Sequence, residues 1–183
     1  MLDRAVRLFC AEGVDGLSLN QICTRLGVSK PALYRAFGNE DGLKRAALAR
    51  YFEAWMEPRL GRLDLSLAFA DQCKALARLM AFSDPGSPAA EGCLLTRMRV
   101  SRAGLGPESL AITQTLEAGL LGKLVEWTSA VAASGQIKSG LSPIEAARYI
   151  DAQIKLALID QSQGADPEGI EARLILALSA LQR

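Results

Sequence analysis

Histidine does not occur in this sequence of 183 residues. Its absence removes the side chain most used for general acid–base work and metal ligation, and with it Ser-His-Asp and Cys-His catalysis and every imidazole-containing zinc site. Aromatic residues are scarce at 5%. Together with abundant Ala and Leu and few β-branched residues, that scarcity favours packed helices over sheet. Cysteine is present only as Cys10, Cys23, Cys73 and Cys93, too widely spaced for a Cys-x-x-Cys metal or redox motif. Each lies among apolar residues at helical spacing, either as a buried thiol or as half of a redox-sensing pair, and a reducing cytoplasm suits both. No apolar run approaches the length of about 18 residues that a membrane span needs. Asp3 and Glu12 stand where a signal peptide would carry a basic start and a clean apolar stretch. The expectation is a cytoplasmic protein without membrane segment, metal or cofactor.

The net charge of +1 argues against a polybasic protein but conceals a split. Residues 1–50 carry eight Lys and Arg against five Asp and Glu, a net +3, and the remainder thirteen against fifteen, a net −2. A mildly basic head precedes a mildly acidic body.

Periodicity and breakers divide the chain into about nine helical stretches. Leu2, Ala5, Val6, Phe9 and Cys10 form one face of a short helix that stops near Gly13. Ser18 with Gln21 reads as a capping box opening a helix that buries Leu19, Ile22, Cys23 and Leu26 and ends at Gly27. Ser29 caps the next, with Pro31 in its first turn and Leu33 and Phe37 inward. A fourth helix runs from about Glu40 to Glu57 and ends at Pro58; Asp64 caps another that reaches Phe82. After the loop 83–88 a helix continues to Arg102, and a longer one follows the turn at 104–107 and extends to Ser134. Helices at 143–163 and 167–182 close the chain, opened by Ser142 with Glu145 and by Asp166. Their apolar residues cover two sides each, which calls for a partner on each side, and the expectation is that one of these is a second subunit.

Two short helices joined at Gly27 have the dimensions of a helix-turn-helix. The exposed side of the second presents Lys30, Tyr34 and Arg35 between small Ala32 and Ala36, a surface able to enter a major groove and to donate to phosphates and base edges. Ser18 and Ser29 place helix N-termini toward the same backbone.

The stretch from Leu8-Phe9 through Gly13, Ser18-Leu19, Ile22-Cys23 and Leu26-Gly27-Val28-Ser29-Lys30-Pro31-Ala32-Leu33-Tyr34-Arg35-Ala36-Phe37 to Leu43 resembles the DNA-binding domain of the TetR family of bacterial transcriptional regulators. The run Glu91-Gly92-Cys93-Leu94-Leu95 is similar to a segment in some members' sixth helix. The resemblance implies that the helix after Ser29 is the recognition helix, that Tyr34 and Arg35 touch phosphate, and that Lys30, Pro31 and Ala32 lie nearest the bases. It also implies a homodimer through the last two helices and a ligand cavity in the body. The family usually carries a lysine where Glu40 stands, with Lys44, one turn on, as the substitute phosphate contact.

The expected architecture is all-α: a three-helix helix-turn-helix domain at 1–45, and a larger ligand-binding and dimerisation domain at 46–183. Trp55, Phe69, Gln72, Met80, Met98, Gln114 and Trp127 are the residues to test as ligand contacts, each with an ordinary core or surface role as the alternative. The expected function is a ligand-responsive regulator bound to a palindromic operator in double-stranded DNA and released by a small apolar or amphipathic effector. The competing readings are a helical ligand-binding or partner-binding module without operator binding, and an all-helical enzyme using a carboxylate base.

Overall fold

Caps and glycines decide where the helices begin and end. The computed structural model describes residues 1–138 and 140–183. Among them the chain forms α-helices and short helical turns, with a single isolated bridge between Ile137 and Gln182 and no strand. The helices are α1 (Leu2–Glu12), α2 (Leu19–Leu26), α3 (Lys30–Phe37), α4 (Glu40–Tyr51), α5 (Glu57–Leu60), α6 (Phe69–Ala81), α7 (Leu94–Val100), α8 (Pro107–Ala133), α9 (Pro143–Ser162) and α10 (Pro167–Ser179).

The chain divides into two compact units, Met1–Pro58 with Asp84–Leu116, and Arg59–Ser83 with Glu117–Arg183. This division does not follow a cut at residue 45, because α4 packs on α1 and α3, while α7 packs on α1 and α4. In the first unit Val6, Phe9, Ile22, Leu26, Leu33, Leu43, Leu48, Leu94 and Met98 are almost completely shielded from solvent. In the second, α6, α9 and α10 pack on one another around Phe69, Leu76, Ala77, Ile150, Ile170, Leu174 and Leu178.

Pro58 does not end the fourth helix, contrary to expectation. The rod continues to Leu60 because the chain widens into a π-turn over Phe52–Met56, in which the Glu57 N–H bonds the Phe52 carbonyl. Proline supplies no N–H and its ring crowds the carbonyl four residues back, so a looser register one turn earlier lets the helix pass through it. Asp64 likewise caps no helix. Its carboxylate accepts hydrogen bonds from the N–H and hydroxyl of Ser66 at 2.9 and 2.6 Å, and α6 starts at Phe69 without a side-chain cap. The helix expected to reach Arg102 stops at Val100 and tightens into a 3-10 turn at Arg102–Gly104.

The capping boxes at Ser18 with Gln21 and Ser142 with Glu145 are both formed, and Asp166 accepts from the Gly169 N–H at 2.9 Å. Leu178 lies fully buried in the second unit. Replacing it with Ala removes buried apolar volume and should lower unfolding stability by about 2–5 kcal/mol, read as a shift of the urea midpoint at fixed protein concentration.

Candidate nucleic-acid interface

Sequence-local chemistry builds the α2–turn–α3 corner. The Ser18 hydroxyl accepts from the Gln21 N–H, and the Gln21 side chain accepts from the Ser18 N–H at 2.8 Å. Gly27 ends α2 with φ of 66° and ψ of 39°, a left-handed conformation that costs glycine little. Ser29 then caps α3, its hydroxyl accepting from the Ala32 N–H at 3.3 Å, with Pro31 in the first turn where no N–H is needed.

Leu33 is the one fully buried residue of α3. Ala32 and Phe37 are half-buried, while Lys30, Pro31, Tyr34, Arg35 and Ala36 face solvent. Tyr34 stands 45% exposed, an apolar ring with a hydroxyl tip held in water. The outward face therefore carries two cations, a phenol and small residues, while Ser18 and Ser29 open neighbouring helices.

The turn from α3 into α4 is tight. Asn39 Oδ1 accepts from the Gly42 N–H at 2.8 Å, capping α4, and a Cβ at position 42 would collide with the Phe37 carbonyl. Lys44 does not offer its ammonium to the outside, as the sequence suggested. It is 7% exposed, and its Nζ lies 2.9 Å from the Glu40 carboxylate. The pair neutralises Glu40 from within, so the acid at the start of α4 presents little net charge.

Two side chains tie helix ends together: Asp41, which sequence did not single out, and Arg97, which it offered only as a surface residue or a polar contact for a ligand. Arg97, half-buried on α7, donates to the carbonyls of Cys10, Ala11 and Glu91 at 3.2–3.3 Å, two of which are orphan acceptors at the C-terminus of α1. Asp41, on α4, accepts from the backbone N–H groups of Glu108 and Ser109 at 2.7 and 3.2 Å and from the Ser109 hydroxyl, which caps α8. Spacing could not reveal either, since the partners in α1 and α8 lie 67 to 87 residues away. The nearest signal was the glycine pair Gly104 and Gly106.

The candidate ligand residues fall into two groups. Phe69, Gln72, Met80 and Trp127 lie in the second unit, with the Phe69 and Trp127 rings 5.5 Å apart. The Gln72 amide donates to the Leu65 and Leu67 carbonyls and accepts from the Trp127 indole, so its polar capacity serves the loop before α6. Trp55, Met98 and Gln114 belong to the first unit. Trp55 sits beside Tyr51 and under Arg50, Met98 is fully buried, and Gln114 is exposed. No group of His, Cys, Asp or Glu among the described residues could hold a metal ion, and none of their helices is long and apolar enough to cross a membrane.

Residues 1–47 match the family model described as bacterial regulatory proteins, tetR family. Along nearly its whole length the chain also superposes on a TetR-family regulator from Agrobacterium tumefaciens, with a TM-score of 0.82 at 15% identity over 100% of this chain and 95% of that one. The chain thus shares the fold of TetR-family regulators, and its first 47 residues match that family's model. A second TetR-family structure, a cysteine mutant of the regulator CifR complexed with 26-bp double-strand operator DNA, superposes with a TM-score of 0.80 at 24% identity over 98% of this chain and 94% of that one. The Escherichia coli K12 repressor ComR is 31% identical over 121 residues, 63% of this chain. The match spans about half of ComR, 54% of its length.

Within this first unit Asp41 carries a pH signature. Burial raises its pKa, but hydrogen bonds from the Ser109 hydroxyl and the Glu108 and Ser109 amides outweigh that and hold it below the ordinary 3.8. A carboxyl with a depressed folded-state pKa stabilises at pH above its unfolded value and loses that contribution as pH falls through the folded one. The difference in thermal midpoint between wild type and Asp41→Asn should accordingly be full at neutral pH and shrink below about pH 4. A difference that stays constant into acid would show that the ionised carboxylate is not what holds the cap.

Proposed function

We propose that this chain is a DNA-binding transcriptional regulator, a cytoplasmic homodimer that holds a palindromic operator and is released by a small apolar or amphipathic effector. The observation that carries this reading is the outward face of α3. A helix anchored by Leu33 alone leaves Lys30, Tyr34 and Arg35 clear of the fold, beside helix N-termini that favour anions. The match of residues 1–47 to the tetR family model, and the likeness of the fold to a regulator solved on operator DNA, support it further.

In the docking we propose, Tyr34, Arg35 and the N-termini at Ser18 and Ser29 meet phosphates, while Lys30, Pro31 and Ala32 lie nearest the base edges. Lys44 takes part only by neutralising Glu40. The dimer forms through α9 and α10, where the large apolar side chains Ile144, Leu156 and Leu176 are 38%, 55% and 73% exposed. Pairing would set two recognition helices about 34 Å apart, one turn of DNA. The effector binds the second unit, with Phe69, Met80 and Trp127 as walls and Gln72 holding the Trp127 indole in place. It acts by preferring a conformer in which α4 has swung, and it shifts the equilibrium only by its difference in affinity for the two forms. We assign no catalytic role to any residue.

Tyr34→Phe combined with Arg35→Ala should weaken binding to operator DNA selected from random sequence, broadly across sequences. It should also lower the slope of log K against log salt by about one for the lost cation, leaving the dimer intact. Gel shifts across a salt series decide this, and unchanged affinity and slope would refute the docking. Leu176→Glu should give a monomer in sedimentation; a dimer of unchanged dissociation constant would move the interface elsewhere.

A further inference from the structure

We infer that Asp41 is a positioning residue for DNA binding: its carboxylate clamps the α3–α4 corner to the first turn of α8 and thereby fixes the direction in which the recognition helix points. The inference rests on the proposed regulator function.

On one side of the clamp the corner has little freedom. Asn39 bonds the Gly42 N–H, the Phe37 carbonyl occupies the space a side chain at Gly42 would need, and Leu33 and Leu43 are fully buried on either side of the turn. Whatever moves Asp41 therefore moves α3. On the other side, Asp41 takes both N–H groups that open α8 together with the hydroxyl of Ser109, which is itself fully buried. Hydrogen bonds to a charged acceptor at a helix N-terminus are both short and favoured by the helix dipole.

The chain leading into α8 is shaped for this contact. A Cβ on Gly106 would strike the Asp41 carboxylate, and one on Gly104 would come within 2.7 Å of Asp15 Oδ1, so both glycines make room for a carboxylate of the head. Arg45, one turn after Asp41, pairs with Glu108 at 3.0 Å across the same junction, but both side chains are 46% exposed and contribute little.

The test compares wild type, Asp41→Asn and Ser109→Ala as full-length chains, with Arg45→Ala as control. Operators carry the spacing selected by wild type or one base pair inserted or deleted at the dyad. A loss of folded protein lowers affinity for all spacings alike, whereas a loosened corner erodes the preference among them. Asp41→Asn should weaken binding at the native spacing about tenfold and reduce the discrimination between spacings to less than about threefold, with Ser109→Ala intermediate and Arg45→Ala near wild type. Hydrogen exchange, without DNA, should speed up at Glu108 and Ser109 and in the same variant at residues 37–43. Spacing discrimination preserved in Asp41→Asn overturns the inference, as does faster exchange confined to Glu108 and Ser109. Should wild type select no DNA, the regulator reading fails, and the exchange at 37–43 alone decides whether the clamp holds the corner.

Discussion

Burial of Leu33 is the constraint on which the rest depends. α3 is eight residues long and sinks one of them completely into the first unit, against α2 and α4. A helix so short is not stable by itself, so its position comes from that anchor, from the serine cap before it and from the tight turn behind it. The same economy leaves a nearly complete helical face for recognition. Had Tyr34 or Arg35 been needed for packing, no docking surface would remain.

The charged residues of the head divide according to what holds them. Lys30 and Arg35 stay in water, while Lys44 is turned onto Glu40, Arg97 onto the carbonyls that end α1, and Asp41 onto the amides that open α8. Counting charges along residues 1–50 gave a mildly basic head, but the count treated an outward lysine and an internally consumed one alike. The cations facing solvent on α3 are the ones relevant to a polyanion.

What sequence could read was whatever is decided within a few residues. Ser18 with Gln21, Ser29 with Pro31, Ser142 with Glu145 and the left-handed Gly27 each close on a neighbour three or four positions away, and each forms as expected. The passage of the fourth helix through Pro58 depended on the carbonyl ladder one turn earlier, where a π register absorbs the proline. Asp64 had two local options and bonded Ser66. Lys44 was legible as a cation, whereas its burial beside Glu40 was not, because helical spacing gives the pairing but not the depth. Arg97 and Asp41 were beyond reach, since only the fold brings them to helix ends far along the chain. The candidate ligand residues illustrate the same limit: Gln72 looked like a polar handle for a ligand, yet its amide is occupied by Leu65, Leu67 and Trp127.

The central claim is that α3 meets nucleic acid with its outward face. Titrating the isotopically labelled chain with a selected operator duplex, and following its backbone amides by nuclear magnetic resonance, tests this most directly. The account predicts the largest perturbations at Ser18, Leu19 and residues 29–35, with the interior position Leu33 shifting less than Lys30, Tyr34 and Arg35. Saturable binding that leaves residues 29–35 unperturbed would contradict it.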